Sequence, residues 1–268
     1  MKSFNRIAAR LVSGHFDRVH ASPETPTVSR KTFYHSGDYG DIIYALPTIR
    51  ALGGGKLVIG PNKLWKTRLN ASVDHVANLK PLLAIQPYIS DIEYVHKIPS
   101  DIDFDLNRFR ECLIHDNIVP SCNTKKLNLA EAHLHTFNLP LSECVDRWIT
   151  VDNTESIPNR PVLIHRSPRW QSSSFPWKKV MSSHRHRALF VGLEEEYSDF
   201  TKDWGYIPYR PTSNMLELAR LIAGSTLFIG NQSLPYALCE GLKHTSLLEV
   251  KQDLANCCFN RHNATYLT

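Results

Sequence analysis

The sequence predicts an α/β chain of two domains, each a parallel sheet flanked by helices, facing one another across a central cleft. Short apolar runs that end in turn residues alternate with stretches of helical period, which is strand–helix–strand order. That order occurs twice, on either side of TVDNTESIPNRP, a stretch with the Pro, Asn and Ser content of a linker. A chain of 268 residues also has room for two cores, each built from roughly 100 to 150 residues.

The elements follow in order. Residues 1–30 are basic at the start and end in a Pro/Ser/Thr-bearing stretch, so a short amphipathic helix and a linker are expected there as an N-terminal extension. The first domain is expected over 31–155. Lys31 to Tyr34 reads as a strand and Ile42 to Leu52 as a helix, with Pro47 kinking it or tightening its first turns. KLVIG follows the Gly53-Gly54-Gly55 stop as the next strand. LKPLLAIQPYISDIEYV predicts a helix, a turn and a short strand, and Asp101 to Trp148 is read as helical. The second domain is expected over 160–250. Its strands are VLIH, ALFVG, TLFIG and SLLEV, the last closing the sheet. MLELARLIAGS is an amphipathic helix with Leu216, Ala219, Leu221 and Ile222 inward, and LPYALCEGL a second helix. Residues 251–268 are expected to return to the N-terminal domain.

Composition narrows the function. No apolar run reaches the ~18 residues of a membrane span, so none is expected. A net charge of +5 favours an anionic ligand but is short of a nucleic-acid footprint. Cys112, Cys122, Cys144, Cys239, Cys257 and Cys258 form no CxxC pair, which fits reduced thiols in a cytoplasmic protein. His133-x-His135 and His184-x-His186 sit in no zinc pattern, so no metal site is expected.

Chemistry concentrates at strand ends. In YHSGDYGDIIYALP, Gly37 and Gly40 let the chain turn sharply and approach a ligand, with Asp38 between them. Asp41 at the helix start either caps free amides or, facing the cleft, accepts a proton from a hydroxyl. No P-loop and no GxGxxG occurs, so phosphates need another seat. LFIGNQSLPYALCEGL offers one: the Asn231-Gln232-Ser233 loop opens a helix whose free amides and dipole favour a diphosphate, unless Ser233 is simply its cap. Arg166 and Arg169 follow a buried strand and would emerge in the cleft, where a guanidinium fork suits phosphate oxygens. Trp170, Phe175 and Trp177 read as core. Among Glu194, Glu195 and Glu196, one carboxylate, assigned to Glu195, could hold ribose hydroxyls.

Taken together, these stretches resemble the heptosyltransferases of glycosyltransferase family 9, enzymes of the two-Rossmann-domain GT-B type. GDYGDIIYALPTIRAL is similar to that family's Gly-Asp-x-x-x-x-x-Pro-x-x-x-x-Leu opening, and LARLIAGSTLFIGNQSLPYALCEGL to its second-domain loop and helix. VLIHRSPRW…FPWKKV falls between them in the expected order. The resemblance implies an inverting transfer from a nucleotide-diphosphate sugar to a hydroxyl acceptor, without metal or other cofactor. It makes Asp41 the base, gives the diphosphate to Asn231, Gln232 and Ser233, and the leaving group to Arg166 and Arg169. Members usually carry Gly and His where this chain has Leu234 and Ala237. A catalytically silent nucleotide-sugar binder, nucleic acid as the glycosyl acceptor, and a sugar epimerase remain alternatives.

Overall fold

The computed structural model describes residues 31–61, 72–112, 127–252 and 254–268. The expected N-terminal extension over 1–30, and Cys122, lie outside the described residues. The first sheet holds β1 (Thr32–His35), β2 (Gly55–Ile59), β3 (Ile89–Tyr94) and β4 (Phe104–Asp105), all parallel, in the order β3-β2-β1-β4. The second holds β5 (Val162–His165), β6 (Ala188–Val191), β7 (Tyr209–Arg210), β8 (Leu227–Asn231), β9 (Ser246–Glu249) and β10 (Ala264–Leu267), also all parallel, in the order β10-β9-β8-β5-β6-β7. β1, β5 and β6 are short and buried along almost their whole length, as strands of a parallel sheet covered on both faces are.

Among the described residues the helices with both ends described are α1 (Tyr39–Ala51), α2 (Val73–Leu83), α3 (Leu129–Thr136), α4 (Trp177–His184), α5 (Glu194–Trp204), α6 (Met215–Gly224) and α7 (Leu234–Gly241), and residues 109–112 are helical as well. None is long and apolar enough to cross a membrane. α1 starts three residues before the expected Ile42, because Asp38 already takes the extended N-cap conformation. In α6 it is Leu218, not Leu216, that joins Ala219, Leu221 and Ile222 in the core. The region read as helical from Asp101 opens instead with β4 and a 3-10 turn at Leu106–Arg108, too short to leave a periodic signal; it is helical at 109–112 and in α3, and residues 113–126 lie outside the described residues.

The expectation that Ser246–Val250 closes the second sheet is corrected: β10 adds a further parallel edge strand beyond β9. Between these two strands the chain visits the first domain. The Asn256 carbonyl accepts from Leu129 N–H at 2.8 Å, and Phe259 stacks on Tyr44 at 5.8 Å before Ala264 rejoins the second sheet. The buried Arg261 guanidinium fixes that return by reaching Glu240 of α7 at 2.8 Å.

In both sheets the chain switches sides beside the first strand, between β1 and β4 and between β5 and β8. Crevices open at the carboxyl ends of strands at such points. What brings the two crevices together is a proline. Pro47 has no N–H, so the Ile43 carbonyl one turn earlier lacks its helical donor. The Trp148 indole fills the vacancy, donating from Nε1 to that carbonyl at 3.1 Å. The Trp148 and Ile149 amides both donate to the Gly241 carbonyl at 3.0 Å, tying the interdomain segment to α7. Gly241 permits this approach, since a Cβ there would lie 2.9 Å from Trp148 Nε1. α1, Trp148 and α7 thus share one core that runs through both domains.

Trp148→Phe should lower unfolding free energy by about 1–3 kcal/mol through the orphaned carbonyl, and adding Pro47→Ala, which restores a helical donor, should recover part of that loss. Urea unfolding of the two single variants and the double variant reads the coupling; strict additivity would exclude it.

Candidate functional site

A cavity of about 380 Å³ lies between the two switch points. Its front wall comes from the first turns of α1, with Asp38, Gly40, Asp41 and Tyr44, joined by Phe109 and Arg110. Its rear wall comes from Arg169, Trp170, Gln232 and Ser233. The acid of the first domain and the helix-opening loop of the second therefore face one space.

Neither aspartate caps α1. Asp38 holds the N-cap position without a side-chain cap bond, and its carboxylate instead meets Arg169 Nη1 across the cleft at 3.4 Å. Both partners of that pair are substantially exposed, so it orients more than it stabilises. Asp41 Oδ2 accepts from Arg110 Nη2 at 2.8 Å, with about a fifth of each side chain exposed. Burial pushes the Asp41 carboxyl up to about 6, and the Asp38 charge adds to this, against the opposing pull of Arg110 and Arg169. Gly37 is required by this packing: a Cβ there would stand 2.6 Å from His35 Cε1 and 2.9 Å from Asp41 Oδ2. Gly40 instead faces Ala237 of α7, with 3.9 Å between a Cβ at Gly40 and that of Ala237.

Beneath the carboxylate, His35 is fully buried and accepts the Gly37 N–H on Nδ1 at 2.8 Å. Burial and then the Arg110 charge push its imidazole down to about 3, so it stays neutral. Asp41 and Arg110 thus stand beside neutral rings, with Phe109 stacked on the likewise buried His133 at 3.9 Å.

On the rear wall, the side chains of the Asn231-Gln232-Ser233 loop have separate work. Asn231 is buried and binds the β5 loop: Nδ2 donates to the Ser167 and Arg169 carbonyls at 2.9 and 2.6 Å, and Oδ1 accepts from Ser167 N–H at 3.0 Å. This clamp holds Trp170 in a left-handed conformation, φ 55°. Gln232 binds the 251–256 stretch, donating to the Leu254 carbonyl at 2.6 Å and accepting the Lys251 N–H at 2.8 Å. Asn231 and Gln232 therefore commit their side-chain amides to shaping the loop, while Gln232 and Ser233 both line the cavity. Ser233 occupies the N-cap of α7 yet makes no side-chain cap bond, because Oγ contacts His165 Nδ1 at 3.0 Å.

Arg166 lies away from the cavity. Its Nε and Nη2 each donate to Glu249 at 3.0 Å, under the rings of Trp177 and Trp204, and its outer edge lines a smaller cavity of about 250 Å³. Glu249 is fully buried and accepts also from Ser172 N–H and Trp177 Nε1, so the arginine is its counter-ion. Glu195 is solvent-exposed in the first turn of α5; its neighbour Glu196 turns inward to His165 Nε2 at 3.0 Å. Phe175 and Trp177 are core, whereas Trp170, read from sequence as core, lines the cavity. Arg110 was not singled out by sequence. It lies in a stretch without periodicity, and only the position of Phe109-Arg110 after β4 brings it under α1. Among the described residues no group of three or more His, Cys, Asp or Glu is placed to hold a metal ion.

Solved structures share this architecture. The glycosyltransferase of family 9 from Veillonella parvula DSM 2008 superposes with a TM-score of 0.53 at 11% identity, over 89% of this chain and 85% of that one. The heptosyltransferase WaaC of E. coli, solved with ADP-2-deoxy-2-fluoro heptose, gives 0.50 at 8% identity, over 89% and 93%. The fold is that of the family 9 glycosyltransferases. The dodecameric, iron-containing heptosyltransferase TibC, solved with ADP-D-beta-D-heptose, has the same fold, with a TM-score of 0.56 at 13% identity over 89% of this chain and 63% of TibC. No protein-family model and no curated protein matches the chain by sequence. The family 9 fold explains why the two switch points face each other.

Arg166→Met should destabilise the protein by about 3–5 kcal/mol, because it strands the buried Glu249 charge. Arg166→Met with Glu249→Leu should regain most of that in urea unfolding, which a ligand-binding role for Arg166 would not produce.

Proposed function

We propose that this chain is an inverting, metal-independent glycosyltransferase that moves a sugar from a nucleotide-diphosphate donor to an acceptor hydroxyl. The observation that carries the reading is the single cavity shared by Asp41 and the N-terminus of α7. A base and an anion seat on opposite walls suit in-line displacement at a sugar carbon held between them.

In that reading the acceptor hydroxyl gives its proton to Asp41 as its oxygen bonds to the anomeric carbon. The bond from that carbon to the diphosphate breaks on the far side, which inverts the centre. Arg110 engages Asp41 Oδ2, so Oδ1 takes the proton. A carboxyl raised to about 6 is ionised at neutral pH while remaining basic enough to accept a proton. Negative charge grows on the departing diphosphate, where the α7 amides, Ser233 and Arg169 already stand. Fixed dipoles and cations stabilise it without reorganising. Trp170 and Tyr39 supply the apolar faces of the cleft. WaaC and TibC were solved with ADP-sugar compounds, which makes ADP-sugars the first donors to test. A cytoplasmic setting would keep the free thiols Cys112, Cys144, Cys239, Cys257 and Cys258 reduced. No observation favours nucleic acid as acceptor.

A catalytically silent donor-binding module shares the same rear wall, and one comparison separates the two. Asp41→Asn should lower donor turnover by about 10²–10⁴-fold while leaving donor affinity nearly unchanged; equal turnover in wild type and variant would reduce Asp41 to a packing residue. A thermal-shift panel of nucleotide sugars that moves nothing would remove both readings. The pH profile gives an independent check. Since Asp41 must be ionised, kcat/KM should fall about tenfold per unit below about pH 6. Arg110→Gln, by removing the cation that holds the carboxyl down, should move that limb to higher pH.

A further inference from the structure

Ser233 does not end at the cavity wall; it continues into a buried chain. Ser233 Oγ contacts His165 Nδ1 at 3.0 Å, and His165 Nε2 contacts Glu196 Oε2 at 3.0 Å. His165 closes β5, Glu196 lies in the first turn of α5, and Ser233 opens α7, so three separate elements converge. The His165 side chain is 2% exposed and that of Glu196 14%. Glu196 also accepts the Leu193 N–H at 2.9 Å. Burial pushes the Glu196 carboxyl up, but the hydrogen bond and charge of His165 outweigh it and leave it below its usual value. It is therefore an anion at neutral pH, and an anion fixes a proton on Nε2.

The proton count then decides what Ser233 can offer. Oγ has a second neighbour, the Asn231 carbonyl at 3.2 Å, which accepts only. With neutral His165, Nδ1 is bare, the Ser233 proton goes to it, and Oγ shows the cavity lone pairs only. With imidazolium, Nδ1–H donates to Oγ, and the hydroxyl proton is free to go either to the Asn231 carbonyl or to a ligand in the cavity. An anion in the cavity needs that released proton as its donor. The groups facing the pair are Phe190, whose ring lies 6.1 Å from that of His165, Tyr209, which senses the Glu194–Glu196 charges, and Arg169 with its partner Asp38, whose guanidinium acts on Glu196.

We propose that Glu196, His165 and Ser233 form a proton-linked relay, in which docking of a diphosphate against Ser233 takes up a proton at His165 and its departure returns it. The inference rests on the anion seat of the preceding subsection. His165 and Glu196 act as positioning residues through Ser233. The relay strengthens the seat when the diphosphate carries most charge, as it does on leaving the sugar.

Inorganic pyrophosphate and ADP serve as probes, titrated calorimetrically into the full chain near neutral pH in buffers of different ionisation enthalpy. Wild type should take up more protons per ligand than His165→Gln, and its affinity should rise with falling pH where His165→Gln is flatter. Ser233→Ala keeps the His165–Glu196 pair and cuts its link to the cavity, so it should lose the extra uptake as well; this variant decides the matter if His165→Gln fails to fold. Equal uptake in wild type and Ser233→Ala, both binding, overturns the relay and leaves the anion seat standing. Failure of wild type to bind either probe overturns both.

Discussion

The geometry depends on a helix with a missing donor. Pro47 leaves the Ile43 carbonyl of α1 unsatisfied inside the core, where an unpaired carbonyl is costly, and Trp148 of the interdomain segment answers it. The same segment's backbone then spends two amides on the end of α7. Asp41 stands at the start of the first helix and Ser233 at the start of the second. Fixing the helices against one another through Trp148 also fixes the distance across the cavity. The interdomain packing is apolar and continuous, so the cleft belongs to one shared core rather than to two bodies that happen to touch.

Around that staple the molecule sorts its charges by burial. Glu249 and Glu240 are fully buried and each has cations committed to it, Arg166 for the first and Lys243 with Arg261 for the second. These groups sit at the carboxyl end of β9 and at the far end of α7 and hold neighbouring segments in place. The charges that reach the cavity are paired and keep some exposure, Asp41 with Arg110 on one wall and Asp38 with Arg169 across the cleft. A ligand can compete for groups of the second kind; displacing the first would strand a charge in the core. That difference, rather than residue type, separates the two arginines of the HRSPR stretch.

Legibility followed the same division. The strands, the order of strand and helix, and the loops at strand ends could be read from apolar runs and turn residues, because those signals are local. Asp41, Ser233 and Arg169 stand out in the sequence because they lie in loops or helix starts after strands, and the structure places all three on one cavity. Arg110 and Glu196 do not stand out in this way. Arg110 acts through a neighbour 69 residues away in sequence, and Glu196 differs from the adjacent Glu195 only by the direction in which one helical turn points it. Trp170 was misread as core because its size says nothing of the left-handed backbone that turns it into the cleft.

By itself, then, the sequence determined that two parallel-sheet domains form and that an acid and a polar helix-opening loop lie at strand ends, since apolar period, proline and glycine act within a few residues of themselves. Only the tertiary structure decided which of those side chains share a space. Partner choice for a guanidinium or a carboxylate is a matter of distances of about 3 Å between segments far apart along the chain, and such distances are set by how the helices pack.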